Sequence, residues 1–402
     1  MGISRAPVFA FLLTTASVAL ADAASDSSSY ACRALTCSTL IPARSVDDPT
    51  TNDCGYRNGN EWWVDYVAGS LAWDTSDRSR EPVTVALFDD GAKTDHPELK
   101  NQLWTNLAEA QGKPGVDDDN NGYVDDIHGW DFVDDDADVS PRGECIGRAS
   151  HGTLMASLIA AERNNGEGIA AAGSDGARVM VLRIVGCGGG SKDRPDPQRL
   201  IRALEYATRM GAKLFSFSAH WTTTTPELDA AFAHIADNPS PHPAIVITSV
   251  PNKGEPLAGY PAAYTFPRIV RAVPIGDEDI ISPGTSVAPP GLNLGAPSAC
   301  VLGASAGSSG YRIERGSSNS TAILTGLIAG IWSSPRYARL APDEFLAQVV
   351  RARMLETPRR SQPDSLGRYP KGVPLADACT LAVKGKTARV CLEPGQPRGP
   401  SK

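Results

Sequence analysis

Three polar side chains stand where a folded chain presents groups for chemistry. Asp89 ends the apolar, β-rich run Val83–Asp89 and is followed by Asp90 and Gly91. Groups at the carboxyl end of a strand line the edge where α/β sheets bind ligands. His151, in Ser150-His151-Gly152-Thr153, opens a helical stretch, and the small residue after it lets the chain pack closely. Ser318 lies in Gly316-Ser317-Ser318-Asn319-Ser320-Thr321-Ala322, just ahead of an apolar helix. Read singly, a strand-end Asp is a turn residue, a lone His is structural, and a Ser before a helix is a cap. Read together they supply a carboxylate, an imidazole and a hydroxyl, the set that activates an oxygen nucleophile. A helix N-terminus also offers backbone N–H groups and a positive dipole end to a developing oxyanion.

The elements that must position these groups alternate along the chain. Val83–Asp89, Val179–Val185, Lys213–Ser218, Ala244–Ser249 and Ile269–Val273 are short apolar runs. Such runs suit strands buried on both faces of a parallel sheet. Between them, Gln198–Met210 carries an apolar stripe of Leu200, Leu204 and Ala207, and Pro226–Ala236 starts on a favourable Pro. Ala322–Trp332 is apolar nearly all round and should be buried, and Pro342–Met354 is amphipathic. This alternation predicts an α/β fold: three layers, doubly wound, a mostly parallel sheet with helices on both faces.

A second cluster is acidic. Residues 117 to 138 hold ten Asp. Oxygen ligands alternate in Asp117, Asp119 and Asn121, then come Gly122, Tyr123 and Asp125, like half of an EF-hand-type loop. Asp117, Asp119, Asn121, the Tyr123 carbonyl and Asp125 are therefore the expected ligands of one structural Ca²⁺. His128 stands where an EF-hand would carry its bidentate Glu, so the loop is not an EF-hand proper. A solvated acidic loop is the plainer alternative, against which stands the mutual repulsion of so many carboxylates.

Composition narrows the setting. With 38 Lys and Arg against 46 Asp and Glu, the net charge is −8 and no basic run suits a nucleic acid. Arg5 followed by the apolar stretch Pro7–Leu20 and small residues to Ala23 reads as an export signal, residues 1–22. The location expected from it is secreted, extracellular or periplasmic. Eight cysteines fit an oxidising compartment, with no CxxC pair to suggest zinc. Cys379 with Cys391, and less tightly Cys145 with Cys187, are the pairings that spacing suggests. A Cys-bearing arm over 23–60 and a Pro-, Gly- and Arg-rich extension over 356–402 flank the main domain, 61–355.

The order Asp, His, Ser is the one that subtilisin uses, and the chain resembles the subtilisin-like serine peptidases over 61–355. The resemblance runs through Trp62 to Trp73, the Asp89 and His151 segments, Asn164-Asn165-Gly166, Gly168-Ile169-Ala170, Gly211-Ala212-Lys213-Leu214 and Tyr260-Pro261-Ala262-Ala263-Tyr264. It implies a secreted serine endopeptidase working through an acyl-enzyme, with Asp89, His151 and Ser318 as the triad and a protein or peptide as substrate. It further implies Asn252 as an oxyanion-hole donor and Ser218 as a residue whose backbone pairs with extended substrate. The chain departs from the family's usual pattern at Asp90, where the kexin/furin branch also has Asp-Asp-Gly, and at Pro251, Ser317, Asn319, Ala322, His220 and Trp221. Those changes around Ser318 and Asn252 motivate the alternative of a weakly active or inactive scaffold serving as a secreted binding module.

Overall fold

The computed structural model describes residues 51–376 except 58–60, 74–80, 148–149, 188–195, 252–253, 255–258, 277–278, 308–309, 358–359, 364–368 and 370. The expected export signal, most of the arm and the Cys379–Cys391 pair lie outside the described residues. A seven-stranded sheet is built from β1 (Val83–Asp89), β2 (Gly129–Asp131), β3 (Ala177–Arg183), β4 (Leu214–Phe217), β5 (Ile245–Ser249), β6 (Ile269–Ile275) and β7 (Leu292–Pro297). Its order is β2-β3-β1-β4-β5-β6-β7, and every ladder is parallel. A two-stranded antiparallel hairpin, β8 (Val301–Ala304) and β9 (Tyr311–Glu314), follows β7.

The helices are α1 (Cys54–Arg57), α2 (Trp62–Tyr66), α3 (Leu107–Ala110), α4 (Glu144–Gly147), α5 (His151–Ala160), α6 (Pro197–Arg209), α7 (Pro226–Ala236), α8 (Ser317–Trp332) and α9 (Pro342–Phe345). α9 runs on as a π-helical stretch, Leu346–Met354, where the sequence predicts one continuous amphipathic helix.

β1 shows why these runs are apolar without alternation. Val85 and Leu87 enter one core, with Leu154 and Leu158 of α5 and Ile323 and Leu327 of α8. Ala86 and Phe88 enter the other, with Leu200 and Leu204 of α6 and Phe232 of α7. Successive side chains point to opposite faces, so a strand covered on both sides must be apolar at every position. The expected three-layer, doubly wound architecture is the one observed.

Chain connectivity reverses at β1, whose neighbours are β3 on one side and β4 on the other. The carboxyl end of the strands at such a reversal is a crevice. α5 begins beside the end of β1. α8 begins beside the end of β7, where Gly316 N donates to Ser298 O and the Ser320 hydroxyl to Ala296 O and Pro297 O, at 2.8, 2.8 and 2.9 Å. The folded body also includes chain beyond 61–355. Gly55 N donates to Gly168 O at 2.7 Å, and Gly295 N to Pro374 O at 2.8 Å.

α5 and α8 touch backbone to backbone. A Cβ on Gly326 would lie 2.5 Å from the Ile159 carbonyl oxygen. Gly326→Ala is expected to push these helices apart, costing about 1–3 kcal/mol and lowering the melting temperature by several degrees. An unchanged melting temperature would show that the crossing tolerates a methyl group.

Candidate active site

β1 ends in Asp89, which is buried, and α5 starts at His151. His151 Nδ1 lies 2.8 and 2.9 Å from the two Asp89 carboxylate oxygens. In the neutral ring Nδ1–H therefore donates to Asp89 and Nε2 is left as an acceptor. Asp90 N donates to Asp89 Oδ1 at 2.8 Å and fixes the carboxylate from behind. The small residue after His151 has a specific cause: a Cβ on Gly152 would lie 2.2 Å from the Gly91 carbonyl oxygen. Only Gly lets α5 start this close to the end of β1.

Burial disfavours charge on the His151 ring. The Asp89 carboxylate outweighs it, by its charge and its hydrogen bond, with Asp90 adding to it, and raises His151 to about 9. The side chain keeps 42% of its exposure, so solvent reaches it.

Ser318 is the second residue of α8 and is half-buried. Its neighbours are pinned. Asn319 Nδ2 donates to Ser298 O and Glu314 O, each at 3.2 Å, and Ser320 holds the end of β7 as above. Asn319 departs from the family's pattern, yet here it ties down the turn that presents Ser318. Among the described residues no hydrogen bond joins the Ser318 hydroxyl to His151, whose bonded ring atom is Nδ1. Such bonds commonly tighten only when substrate arrives.

Ser218 follows β4 and is buried, and its carbonyl accepts from the Ser249 hydroxyl at 3.3 Å. Asn252 lies outside the described residues. Pro251 is buried and its carbonyl accepts Ser286 N at 2.7 Å. Cys145 and Cys187 form a disulfide that joins the chain ahead of His151 to the chain after β3.

The acidic segment divides in two. Arg183 bonds Asp131 and Asp134 at 2.5 and 2.7 Å, Arg142 bonds Asp136 at 2.6 Å, and Arg202 bonds Asp135 at 3.0 Å. Those carboxylates are neutralised without a metal. The rest surrounds Glu109, which the sequence reading missed. Carboxylate oxygens of Glu109, Asp119 and Asp126 all lie within 4.8 Å of one another.

Of the expected ligands, Asp119 is in this cluster. Asn121 Nδ2 contacts both Asp119 and Asp126, at 3.1 and 2.9 Å. Asp117 instead accepts the amides of Asn121 and Gly122, and Asp125 accepts the amide of Gly115. Tyr123 donates its amide to Asn121 Oδ1. A signal for Glu109 exists in the sequence. Asn106 caps α3 by accepting Ala108 N, and Glu109 stands three residues on, as in a capping box. Glu109 turns instead to the loop, accepting the amides of Asp118, Asp119 and Asp125.

Asp126 is fully buried, and burial raises its carboxyl above the usual range against bonds from Tyr206, Asn121 and Asn106. Asn106 and Asn121 turn their Nδ2 groups to this cluster, so the oxygen donors it offers are the three carboxylates, a set that fits a hard divalent cation.

A profile of the subtilase family matches residues 80–372. Subtilisin-like protease 1 of Plasmodium vivax is 36% identical over 128 residues, which are 32% of this chain and 19% of that protein. Halolysin of Haloferax mediterranei is 27% identical over 282 residues, 70% of this chain and 47% of its own. Thermitase of Thermoactinomyces vulgaris is 25% identical over 216 residues, 54% and 63%. The chain thus spans less than a fifth of the Plasmodium protein.

If the Glu109 cluster holds Ca²⁺, chelation by EGTA should lower the melting temperature of Ca²⁺-loaded protein by several degrees. Asp126→Asn should lose most of that response. A melting temperature indifferent to both Ca²⁺ and EGTA would exclude the site.

Proposed function

The chain belongs to the subtilase family of serine peptidases, and from that premise we propose that it is a secreted endopeptidase with Asp89, His151 and Ser318 as its triad. The observation that carries this reading is the two-oxygen contact of Asp89 with His151 Nδ1 at the carboxyl edge of the sheet. Ser318 Oγ attacks the peptide carbonyl while His151 Nε2 takes its proton. Asp89 keeps the ring in the right tautomer and stabilises the imidazolium. The tetrahedral oxyanion is received by the Ser318 backbone N–H at the start of α8 and by the Asn252 amide. One such donor is typically worth about 3–4 kcal/mol of transition-state stabilisation. His151 then gives the proton to the leaving amine, and water hydrolyses the acyl-enzyme by the same route in reverse.

Substrate is an extended segment of protein, paired through main-chain hydrogen bonds at Ser218. Glu109, Asp119 and Asp126 would hold a structural Ca²⁺ through their carboxylate oxygens. Its contribution is to neutralise carboxylates that otherwise repel one another. Export is supported by the amino-terminal signal pattern and by the disulfide. Among the described residues no helix is long and apolar enough to cross a membrane.

Two outcomes are expected from the purified chain with casein. Hydrolysis should fall at least about a thousand-fold in Ser318→Ala. Because only the neutral imidazole can accept the Ser318 proton, kcat/KM should rise with pH on an acid limb centred near 9, not near 6.5. Folded wild-type protein with no hydrolysis at any pH would leave the binding-module alternative.

A further inference from the structure

Asp90 is a buried carboxylate next to the proposed triad, and its contacts follow a pattern. Its Oδ1 accepts Gly152 N at 2.7 Å and the Ser150 hydroxyl at 3.0 Å, and its Oδ2 accepts His151 N at 3.0 Å. The Ser150 hydroxyl in turn caps Thr153 N at 3.2 Å. Three of the four orphan amides at the start of α5 are thus bound, two of them by one side chain. A single hydroxyl, the group the family usually carries here, cannot span both amides. Burial and the neighbouring Asp89 charge push the Asp90 carboxyl up, and the amides of Gly152 and His151 with the His151 charge oppose them by favouring the ionised form. An anion against the first amides of a helix is also favoured by the helix dipole. The disulfide sulfur of Cys187 lies 3.4 Å from Oδ2.

We propose that Asp90 is a second positioning carboxylate for His151. Asp89 holds the imidazole ring, and Asp90 holds the backbone from which that ring projects. Asp90 also reaches the other partner, since its own amide donates to Asp89 Oδ1. The pair therefore fixes both ends of the Asp89–His151 contact. Ser150 depends on this arrangement: its φ is +48°, a left-handed conformation costly for a non-glycine residue, and its hydroxyl bond to Asp90 holds it there.

The charge of Asp90 acts on the ring as well. The charged groups facing His151 are Asp89 and Asp90 from the end of β1 and Arg312 from β9. Arg312 is itself paired with Glu314 at 3.2 Å and donates to Ser150 O at 3.4 Å. The two carboxylates support the imidazolium and Arg312 opposes it. Removing the Asp90 charge must then lower the pH at which His151 gives up its proton.

This inference rests on the peptidase reading for its catalytic meaning, so the test has an arm without catalysis. The His151 ring is titrated by NMR in the full chain carrying Ser318→Ala, alone and with Asp90→Asn or Asp90→Ser. The midpoint should fall by about one pH unit in the double variants. In chains that keep Ser318, kcat should fall at least tenfold with KM within about twofold, and the acid limb of kcat/KM should move down with the midpoint. Asp90→Ser retains a short acceptor and serves if Asp90→Asn does not fold. An unmoved midpoint in a folded variant would overturn the proposal, whether or not the parent chain cuts casein. A parent that cuts nothing while its midpoint moves would count against the peptidase reading alone.

Discussion

The contact between α5 and α8 governs the geometry of the site. His151 begins one helix and Ser318 stands at the start of the other, and both helices start at the carboxyl edge of the sheet. Their backbones approach at Ile159 and Gly326, where a Cβ on the glycine would meet the Ile159 carbonyl oxygen. Ile159 lies eight residues after His151, and Gly326 eight residues after Ser318. At about 1.5 Å per residue, both side chains stand roughly 12 Å from the crossing along their own helices. The crossing therefore acts with the ties at each helix start, Asp90 on α5 and the end of β7 on α8, in placing His151 and Ser318. That explains why so much of α8 is buried and why a glycine sits in its middle.

Charge is managed locally around this frame. The edge of β1 carries two adjacent carboxylates without a Lys or Arg between them. Asp89 is stabilised by the imidazole it orients, and Asp90 by the amides of the helix that imidazole begins. Farther along, Arg183, Arg142 and Arg202 neutralise one half of the acidic segment. The other half converges on Glu109, and among the described residues no Arg or Lys bonds the Glu109, Asp119 or Asp126 carboxylates, the condition under which a divalent cation adds most to stability.

Much of this was legible in the residues, and the failures have physical causes. β1 and α7 were readable because each carries an unbroken pattern with a clear end, a strand-final Asp or a Pro at the first helical turn. α8 starts at Ser317 rather than Ala322, because its first turn is polar and takes its partners from β7. β2 has three residues and β7 contains Gly and Pro, so neither offers enough pattern to detect. The β8–β9 hairpin was missed for a related reason, since β9 is only half-buried. At the candidate cation site the fold gathers Asp119 with Glu109 and Asp126, a set that differs from the five residues expected from the loop's spacing. Alternating Asp residues look like ligands in a linear reading, but Asp117 and Asp125 are spent on the loop's own amides. Glu109 enters from a separate four-residue helix, a proximity that only the fold creates.

The proposed activity requires that these elements make Ser318 a nucleophile through His151. It is tested most directly by treating the intact chain with a fluorophosphonate and mapping the adduct by peptide mass. One stoichiometric adduct on Ser318 is expected, nearly absent in His151→Ala. No adduct in folded protein, or labelling of Ser318 that is indifferent to His151, would contradict it.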